Sequence, residues 1–205
     1  MAIIATTTQG GNKVTAPEGN HIARCVQMIH LGTTEQEFKK EVKKLNKVRV
    51  VWELLNESYT YTKDDQEVTS NFLIGKDYTL SMHEKSSLRK DLQSWRGKAF
   101  TEDEAKAFDI TKLLNIPCML NVIHKKADNG NEYANISGIS QMPKGMVAPN
   151  PTTPLIEFNY DDKFEVFETL PEWLQNKIKE SEEYKHKMGD IPVTSDDDDS
   201  DEIPF

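Results

Sequence analysis

Basic side chains and aromatic rings occur together in three stretches of the chain, at residues 43–61, 89–98 and 124–133. Ammonium and guanidinium groups neutralise phosphates, and aromatic rings offer faces on which unpaired bases stack. This combination is what the binding of a single-stranded nucleic acid requires. The candidate contact residues are Lys43, Lys44, Lys47, Arg49, Tyr59, Tyr61, Arg89, Lys90, Trp95, Arg96, Lys98, His124, Lys125, Lys126 and Tyr133.

Each of these side chains also has a plain structural interpretation. A single charged residue is as compatible with a solvated surface as with a phosphate contact. Trp95 lies on the apolar stripe of a predicted helix but borders Arg96 and Lys98, so a core role and a base-stacking role both stay open. Trp52 is in phase with apolar neighbours along a predicted strand, and we expect it in the core.

The sequence lacks the common catalytic patterns. It has no glycine-rich phosphate loop, no HExxH motif and no paired CxxC. The five histidines are scattered without the spacing of metal ligands. Carboxylates are abundant enough to build a metal-dependent nuclease, but no spacing selects particular ones. We therefore expect no enzyme activity, no cofactor and no bound metal.

The charge of the chain is unevenly distributed. The formal net charge is −9, which by itself disfavours a nucleic-acid ligand. Six of the 34 acidic residues lie within residues 196–202, which leaves 28 acids against 25 bases elsewhere. Residues 38–50 hold six bases and one acid, and residues 85–98 hold five bases and one acid. The pattern indicates a nearly neutral body with basic patches and a separate acidic end.

Hydrophobic periodicity predicts a mainly β protein with five strands and a helical section between the third and the fourth. This is the element order of a five-stranded OB-fold barrel, whose 1–2 and 4–5 loops and strand 2–3 face commonly bind oligonucleotides. Residues 32–46 are predicted as a loop and residues 56–70 as a long hairpin loop, unless Tyr59 and Tyr61 extend the strand pairing there. Asn129-Gly130 is predicted as a hairpin turn. An edge strand is predicted within residues 155–167. The five main strands are predicted at residues 21–31, 47–54, 72–81, 117–125 and 132–139.

Two local signals define the helical section. Leu88, Leu92 and Trp95 form a single apolar stripe at helical spacing. Thr101 and Glu104 have the spacing of a capping box, which predicts a second short helix.

These signals divide the chain into four regions: a flexible segment 1–20, the barrel 21–168, one C-terminal helix 169–188 and a disordered acidic tail 189–205. Cys25 and Cys118 lie in apolar runs and are predicted to be buried free thiols. The sequence has neither a secretory leader nor a membrane-spanning run, so we expect an intracellular protein without a membrane partner.

The acidic tail ends on an apolar tip and a free carboxylate. A solubilising tail would not need the final Ile-Pro-Phe. The ending closely resembles the C-terminal tip of bacterial single-stranded-DNA-binding proteins, in which several Asp precede Ile-Pro-Phe; Ser200 and Glu202 depart from a pure Asp run. The resemblance implies a docking peptide for replication, recombination and repair proteins, whose acids also compete with DNA. Its residues are Asp198, Asp199, Asp201, Glu202, Ile203, Pro204 and Phe205.

The body resembles a narrower group. The run Leu88–Phe100, with Ile110 and residues 121–124 beyond it, is similar to phage-encoded OB-fold single-stranded-DNA-binding proteins over about residues 20–145. The resemblance implies sequence-independent coating of single-stranded DNA during phage replication or recombination, in the cytoplasm of a bacterial host.

Two other functions stay open from the residues alone. An acidic adaptor would bind host DNA-processing proteins through its tail without coating DNA. An RNA-binding protein would use the same groups, because stacking barely discriminates RNA from DNA. No coiled-coil seam or long apolar edge indicates an oligomeric state, so homo-oligomers stay open as well.

Overall fold

The computed structural model describes residues 14–38, 41–128, 130–161 and 163–189. Most of the predicted flexible segment, Asn129 of the predicted hairpin turn and almost all of the predicted acidic tail lie outside the described residues.

Five strands form one curled antiparallel sheet, a half-barrel, in the order β3-β2-β1-β4-β5. The Cα atoms of the two outer strands, β3 and β5, come within 8 Å of each other. A sixth strand runs parallel to the middle of β1. The strands are β1 Gly19–Phe38, β2 Glu41–Lys63, β3 Gln66–Thr79, β4 Pro117–Lys126, β5 Glu132–Ser140 and β6 Ile156–Phe158. The predicted mainly β architecture is thereby confirmed.

Four short helices complete the described structure. Helices α1 and α2 lie between β3 and β4, as predicted, and α3 and α4 follow β6. They are α1 Ser87–Arg96, α2 Glu102–Lys106, α3 Glu172–Lys179 and α4 Glu182–Met188, with 3₁₀ turns at Ile110–Leu113 and Phe164–Thr169.

The loop predicted at residues 32–46 is wrong. At residues 56–70 the long hairpin loop is also wrong, and the alternative, in which Tyr59 and Tyr61 extend the strand pairing, is confirmed. Strands β1, β2 and β3 continue through them as long two-stranded ribbons. Both faces of a ribbon are exposed there, so the sequence shows none of the apolar alternation that marks a half-buried strand. The β2–β3 connection is a tight two-residue turn at Asp64 and Asp65, which both have positive φ (49° and 58°).

The core of the half-barrel, which we call the barrel core, combines the face of β2 that contains Trp52 with the predicted helix stripe. Val48, Val50, Trp52 and Leu54 are all buried in one cluster with Leu88, Leu92 and Trp95. The rings of Trp52 and Trp95 lie 5.7 Å apart. The capping box is also confirmed: Thr101 accepts from the Glu104 backbone N–H, and Glu104 accepts from that of Thr101. Cys25 and Cys118 are buried free thiols, and burial raises the pKa of each.

A second apolar cluster lies on the opposite face of β1. Ile29 and Leu31 pack there against Phe158, Leu174 and Ile178 of the later elements. We call residues 156–161 and 163–189 the C-terminal layer. The single helix predicted for residues 169–188 is wrong, because the layer contains two helices that are separated at Ser181. The Ser181 hydroxyl caps α4 by accepting from the Tyr184 N–H and also contacts Tyr160.

The C-terminal layer packs tightly against β1 at Gly32. Its φ of +80° is unfavourable for other residues. A Cβ at this position would lie 2.6 Å from the Glu183 carboxylate, the Ser181 Cβ and the Tyr160 hydroxyl. Only glycine lets the backbone pass this close.

We predict that Gly32→Ala destabilises the protein by about 2–4 kcal/mol, because backbone strain and overpacking act together. Gly145→Ala is the matched control: its φ is +83°, but no described atom lies within 4 Å of the added Cβ. It should cost only about 1 kcal/mol. Urea unfolding at neutral pH measures the free energy of unfolding of both variants. Equal losses of stability would mean that the C-terminal layer does not pack tightly against Gly32.

Candidate nucleic-acid interface

The outer face of the sheet is partly covered by residues 142–155, which we call the strap. The strap connects β5 to β6 and crosses the sheet at Glu53, whose side chain is fully buried. One Glu53 oxygen accepts from the Thr152 N–H (2.8 Å), the Thr152 hydroxyl (2.9 Å) and the Asn71 amide (2.7 Å). The other accepts from the Thr153 N–H at 2.7 Å. This carboxylate therefore binds the strap to β2 and β3.

Hydrogen bonding outweighs burial at Glu53. Burial by itself raises the pKa of a carboxyl, but the donors from Thr152, Thr153 and Asn71 favour the charged form, and the pKa falls to about 2.

Arg24 holds the strap at a second point. It is the cross-strand neighbour of Glu53 on β1. Its guanidinium donates to the carbonyls of Ala148 (3.1 Å), Pro149 (3.1 Å) and Asn115 (2.7 Å). The strap thereby closes the β1–β2 part of the outer face and leaves the β3 side open.

A groove of about 290 Å³ lies on that open side, between β3 and β5. We call it the β3–β5 groove. Arg49, Leu73 and Gly75 line one part of it, Glu132 and Tyr133 line another, and residues 14–16 complete the lining. Leu73 and Tyr133 are both exposed although they are large and apolar or aromatic. The groove therefore offers a cation, an apolar wall and an aromatic ring in one place.

The Arg49 guanidinium is fixed by three neighbours. It pairs with Asp77 at 2.5 Å, and its central carbon lies 4.9 Å from the centre of the Trp173 ring. A Cβ on Gly75 would lie 2.5 Å from its Nη2, so the absence of a side chain at Gly75 makes room for it. Asp77 also pairs with Lys177 at 2.9 Å. Burial alone raises the pKa of Asp77, but Lys177 and Arg49 outweigh burial and lower it.

A smaller cavity of about 90 Å³ lies on the other side of this ion cluster. Lys47 and Lys177 line it together with Gln36 and Asp77. Lys47 donates to the Gln36 side chain at 2.8 Å. The cluster of Arg49, Asp77 and Lys177 thus joins the β3–β5 groove to the basic β1–β2 hairpin.

The candidate lysines of that hairpin are engaged but exposed. Lys43 pairs with Glu41 at 3.1 Å, and Lys44 pairs with Glu182 of α4 at 2.6 Å. Exposed pairs of this kind contribute little stability, so a phosphate can replace the carboxylate at small cost.

The structure places the two candidate tyrosines of β2 differently from each other. Tyr59 packs against Phe72 at the edge of the barrel core, with ring centres 4.8 Å apart. Tyr61 stacks on Tyr59 at 5.6 Å and is exposed. Of this pair, Tyr61 is the one with an accessible face.

The candidate residues of the helical section mostly make internal contacts. Trp95 is 4% exposed and its indole donates to the Pro117 carbonyl, so a base cannot reach its ring without opening the core. Arg89 is buried and pairs with Glu102. Arg96 lies 4.0 Å above the Phe100 ring and shares Glu104 with Lys98; only Lys90 has an exposed side chain without a described ion pair. The side chains of this stretch stabilise the helical section, and of the three stretches it is the least suited to bind a nucleic-acid strand.

The third stretch lies on the β4–β5 hairpin beside the groove. Lys125 and Tyr133 are cross-strand partners, and Lys125 and Lys126 are exposed. The His124 ring contacts the Ala16 carbonyl at 2.7 Å and lies 3.9 Å from Glu132. Lys125 therefore lies on the same face of the hairpin as Tyr133, whereas Lys126 lies on the other face, opposite Glu132.

Leu73, which lines the groove, and Trp173, which contacts Arg49, were missed as candidate site residues. Trp173 lies in helix α3. It is 51% exposed, whereas Leu174 and Ile178 are buried. Helical spacing could have predicted this exposure. Leu174 and Ile178 are four residues apart and share one face of the helix, whereas Trp173 lies on neither residue's i, i+4 spacing.

The described residues contain no group of three or more His, Cys, Asp or Glu side chains that could hold a metal ion. Among them there is also no helix long and apolar enough to cross a membrane. Comparisons with protein-family models, with curated proteins and with solved structures find no match to this chain.

We predict that Glu53→Gln destabilises the protein by about 2 kcal/mol at pH 7, because the neutral amide loses charge-assisted bonds and presents a donor to the strap N–H groups. The pKa of Glu53 is depressed from 4.5 to about 2, so its contribution is complete above pH 4.5 and is lost as the pH falls from there towards 2. The difference from the unsubstituted protein should therefore shrink in acid.

Urea unfolding across this pH range measures the effect, with Glu84→Gln as the control because Glu84 is exposed. If the stability difference between Glu53→Gln and the unsubstituted protein does not change with pH, the charged Glu53 carboxylate does not stabilise the attachment of the strap.

Proposed function

We propose that this protein binds single-stranded DNA without sequence preference, through an OB-type barrel, and that its C-terminal tip recruits replication, recombination or repair proteins. One observation carries the proposal. The strand order β3-β2-β1-β4-β5, with helices between β3 and β4, is combined with a groove across the β3 side that carries a cation and an exposed aromatic ring. The OB fold commonly uses this face and the adjoining hairpins for oligonucleotides.

The groove and hairpins offer the two kinds of contact that a single strand needs. Tyr133 supplies an aromatic ring, and Leu73 an apolar wall for a base edge. Arg49 inside the groove and the exposed Lys125 and Lys126 of the adjoining β4–β5 hairpin supply charges for the phosphates. Stacking on a ring and charge contacts to phosphates do not depend on the identity of the base, which favours sequence-independent binding.

The resemblance of the tail to bacterial single-stranded-DNA-binding proteins supports the recruiting role. Ile203, Pro204 and Phe205 would enter an apolar pocket on the partner, and Asp198, Asp199, Asp201 and Glu202 would meet its basic rim. These tail residues lie outside the described structure. A phage origin, action in the cytoplasm of a bacterial host and a non-enzymatic role belong to the same proposal.

We predict that Lys125→Ala with Lys126→Ala weakens oligo-dT binding about three- to tenfold at low salt, because two phosphate contacts are lost. Lys106→Ala with Lys112→Ala is the matched control: it removes two exposed lysines from the helical section. Fluorescence anisotropy of a labelled oligo-dT measures both.

The salt dependence provides an independent check. With roughly four to six phosphates contacted, log K falls against log salt with a slope of about −3 to −4. Equal losses in the two double variants, or no dependence on salt, would contradict the assignment of the β4–β5 hairpin.

Two tail deletions separate this function from the acidic adaptor. We expect that removing residues 203–205 abolishes partner binding under both hypotheses. Removing residues 196–205 should leave oligo-dT binding unchanged or tighter, since competing acids are lost. A full chain that fails to bind oligo-dT at low salt would favour the adaptor, and oligo-U that outcompetes oligo-dT would favour an RNA ligand.

A further inference from the structure

The exposed side chain of Trp173 is difficult to explain by folding alone. Helix α3 is anchored by Leu174 and Ile178, which are buried in the second cluster, while the Trp173 ring remains 51% exposed. A tryptophan left in solvent forgoes a large hydrophobic gain. Its only described ring contact is the Arg49 guanidinium, at 4.9 Å.

The contact with Arg49 holds the indole beside the β3–β5 groove. Arg49 lines that groove, and its guanidinium is held in place by Asp77 and by the space above Gly75. Lys177, one helical turn after Trp173, binds the same Asp77. Two residues of α3 are therefore attached to the outer face of the barrel through Arg49 and Asp77.

The result is a row of groups across the sheet. Tyr133 lies at one end of the groove, Leu73 and Arg49 lie along it, and Trp173 stands beyond Arg49. Lys177 and Lys47 line the smaller cavity together with Asp77 and Glu180. Aromatic rings thus stand at two points of a surface whose intervening and following cations suit a phosphate backbone.

We propose that Trp173 stacks on an unpaired base of the bound strand, so that the C-terminal layer forms part of the DNA-binding surface. This inference rests on the proposed function. Arg49 covers part of the indole and fixes its orientation, which leaves the exposed part for a base. The occupant is a single nucleic-acid strand rather than an apolar peptide. Arg49 lies against the ring, and Lys177 and Lys47 line the smaller cavity nearby.

The location of the three tryptophans makes the proposal measurable. Trp52 and Trp95 are 1% and 4% exposed, so a bound strand can reach only Trp173 among them. A base that stacks on the indole quenches its emission. We expect oligo-dT to quench the intrinsic fluorescence of the full chain, and we expect Trp173→Phe to lose most of that quenching while keeping most of the affinity.

Affinity is tested with a second variant and a matched control. Trp173→Ala should weaken binding of labelled oligo-dT about tenfold, because one stacked base is lost. Leu155→Ala removes an equally exposed apolar side chain (45%) from a different cavity and should bind like the unsubstituted chain. Gly75→Ala should also weaken binding, since the added Cβ displaces Arg49. Thermal unfolding confirms that each variant is folded.

The outcomes separate this proposal from the proposed function. If the unsubstituted chain fails to bind oligo-dT, the proposed function fails. If it binds and Trp173→Ala binds equally well, or if Trp173→Phe is still quenched fully, only the role of Trp173 is overturned. Quenching by a peptide of residues 196–205 without quenching by oligo-dT would assign the surface to the chain's own tail and would also overturn that role.

Discussion

Strand β1 buries both of its faces along its middle, and most of the structure depends on this double burial. Met28 contributes to the barrel core, while Ile29 and Leu31 lie in the second cluster under the C-terminal layer. The same strand pairs with β2, β4 and β6. A β-strand alternates its side chains between two faces, so a strand that is apolar on both needs a cover on each side. The C-terminal layer is that cover.

The strap is held to the sheet by polar contacts, in addition to the apolar packing on β1. Arg24 and Glu53 are neighbours across the sheet, yet each binds the strap backbone instead of the other. A buried charge needs several hydrogen bonds to offset its desolvation, and strap N–H and carbonyl groups provide them. The consequence is spatial: the β1–β2 part of the outer face is closed, and the accessible groove is restricted to the β3 side.

The distribution of charge follows from the same packing. The basic stretches of the sequence have different roles in the structure: Arg89 and Arg96 make ion pairs within the helical section, whereas Lys125 and Lys126 remain exposed on the β4–β5 hairpin. A net charge of −9 therefore says little about the local potential at the groove. The proposed single-strand binding depends on this local arrangement, and the proposed partner docking depends on the tail.

The sequence by itself determined the mainly β class, the core-facing side of β2, the apolar stripe of α1 and the capping box, because each of these depends on local periodicity or spacing. It could not determine the long ribbons of β1–β3, whose two exposed faces leave no alternation. It also left open whether Trp95 is core or exposed and did not single out Trp173. Trp95 borders arginine and lysine but is core, and Trp173 stands next to the buried Leu174 but is exposed beside Arg49. Only the tertiary structure decided these roles, because burial is set by which element packs on which face, and residues 49 and 173 meet only when the C-terminal layer has folded back over β1.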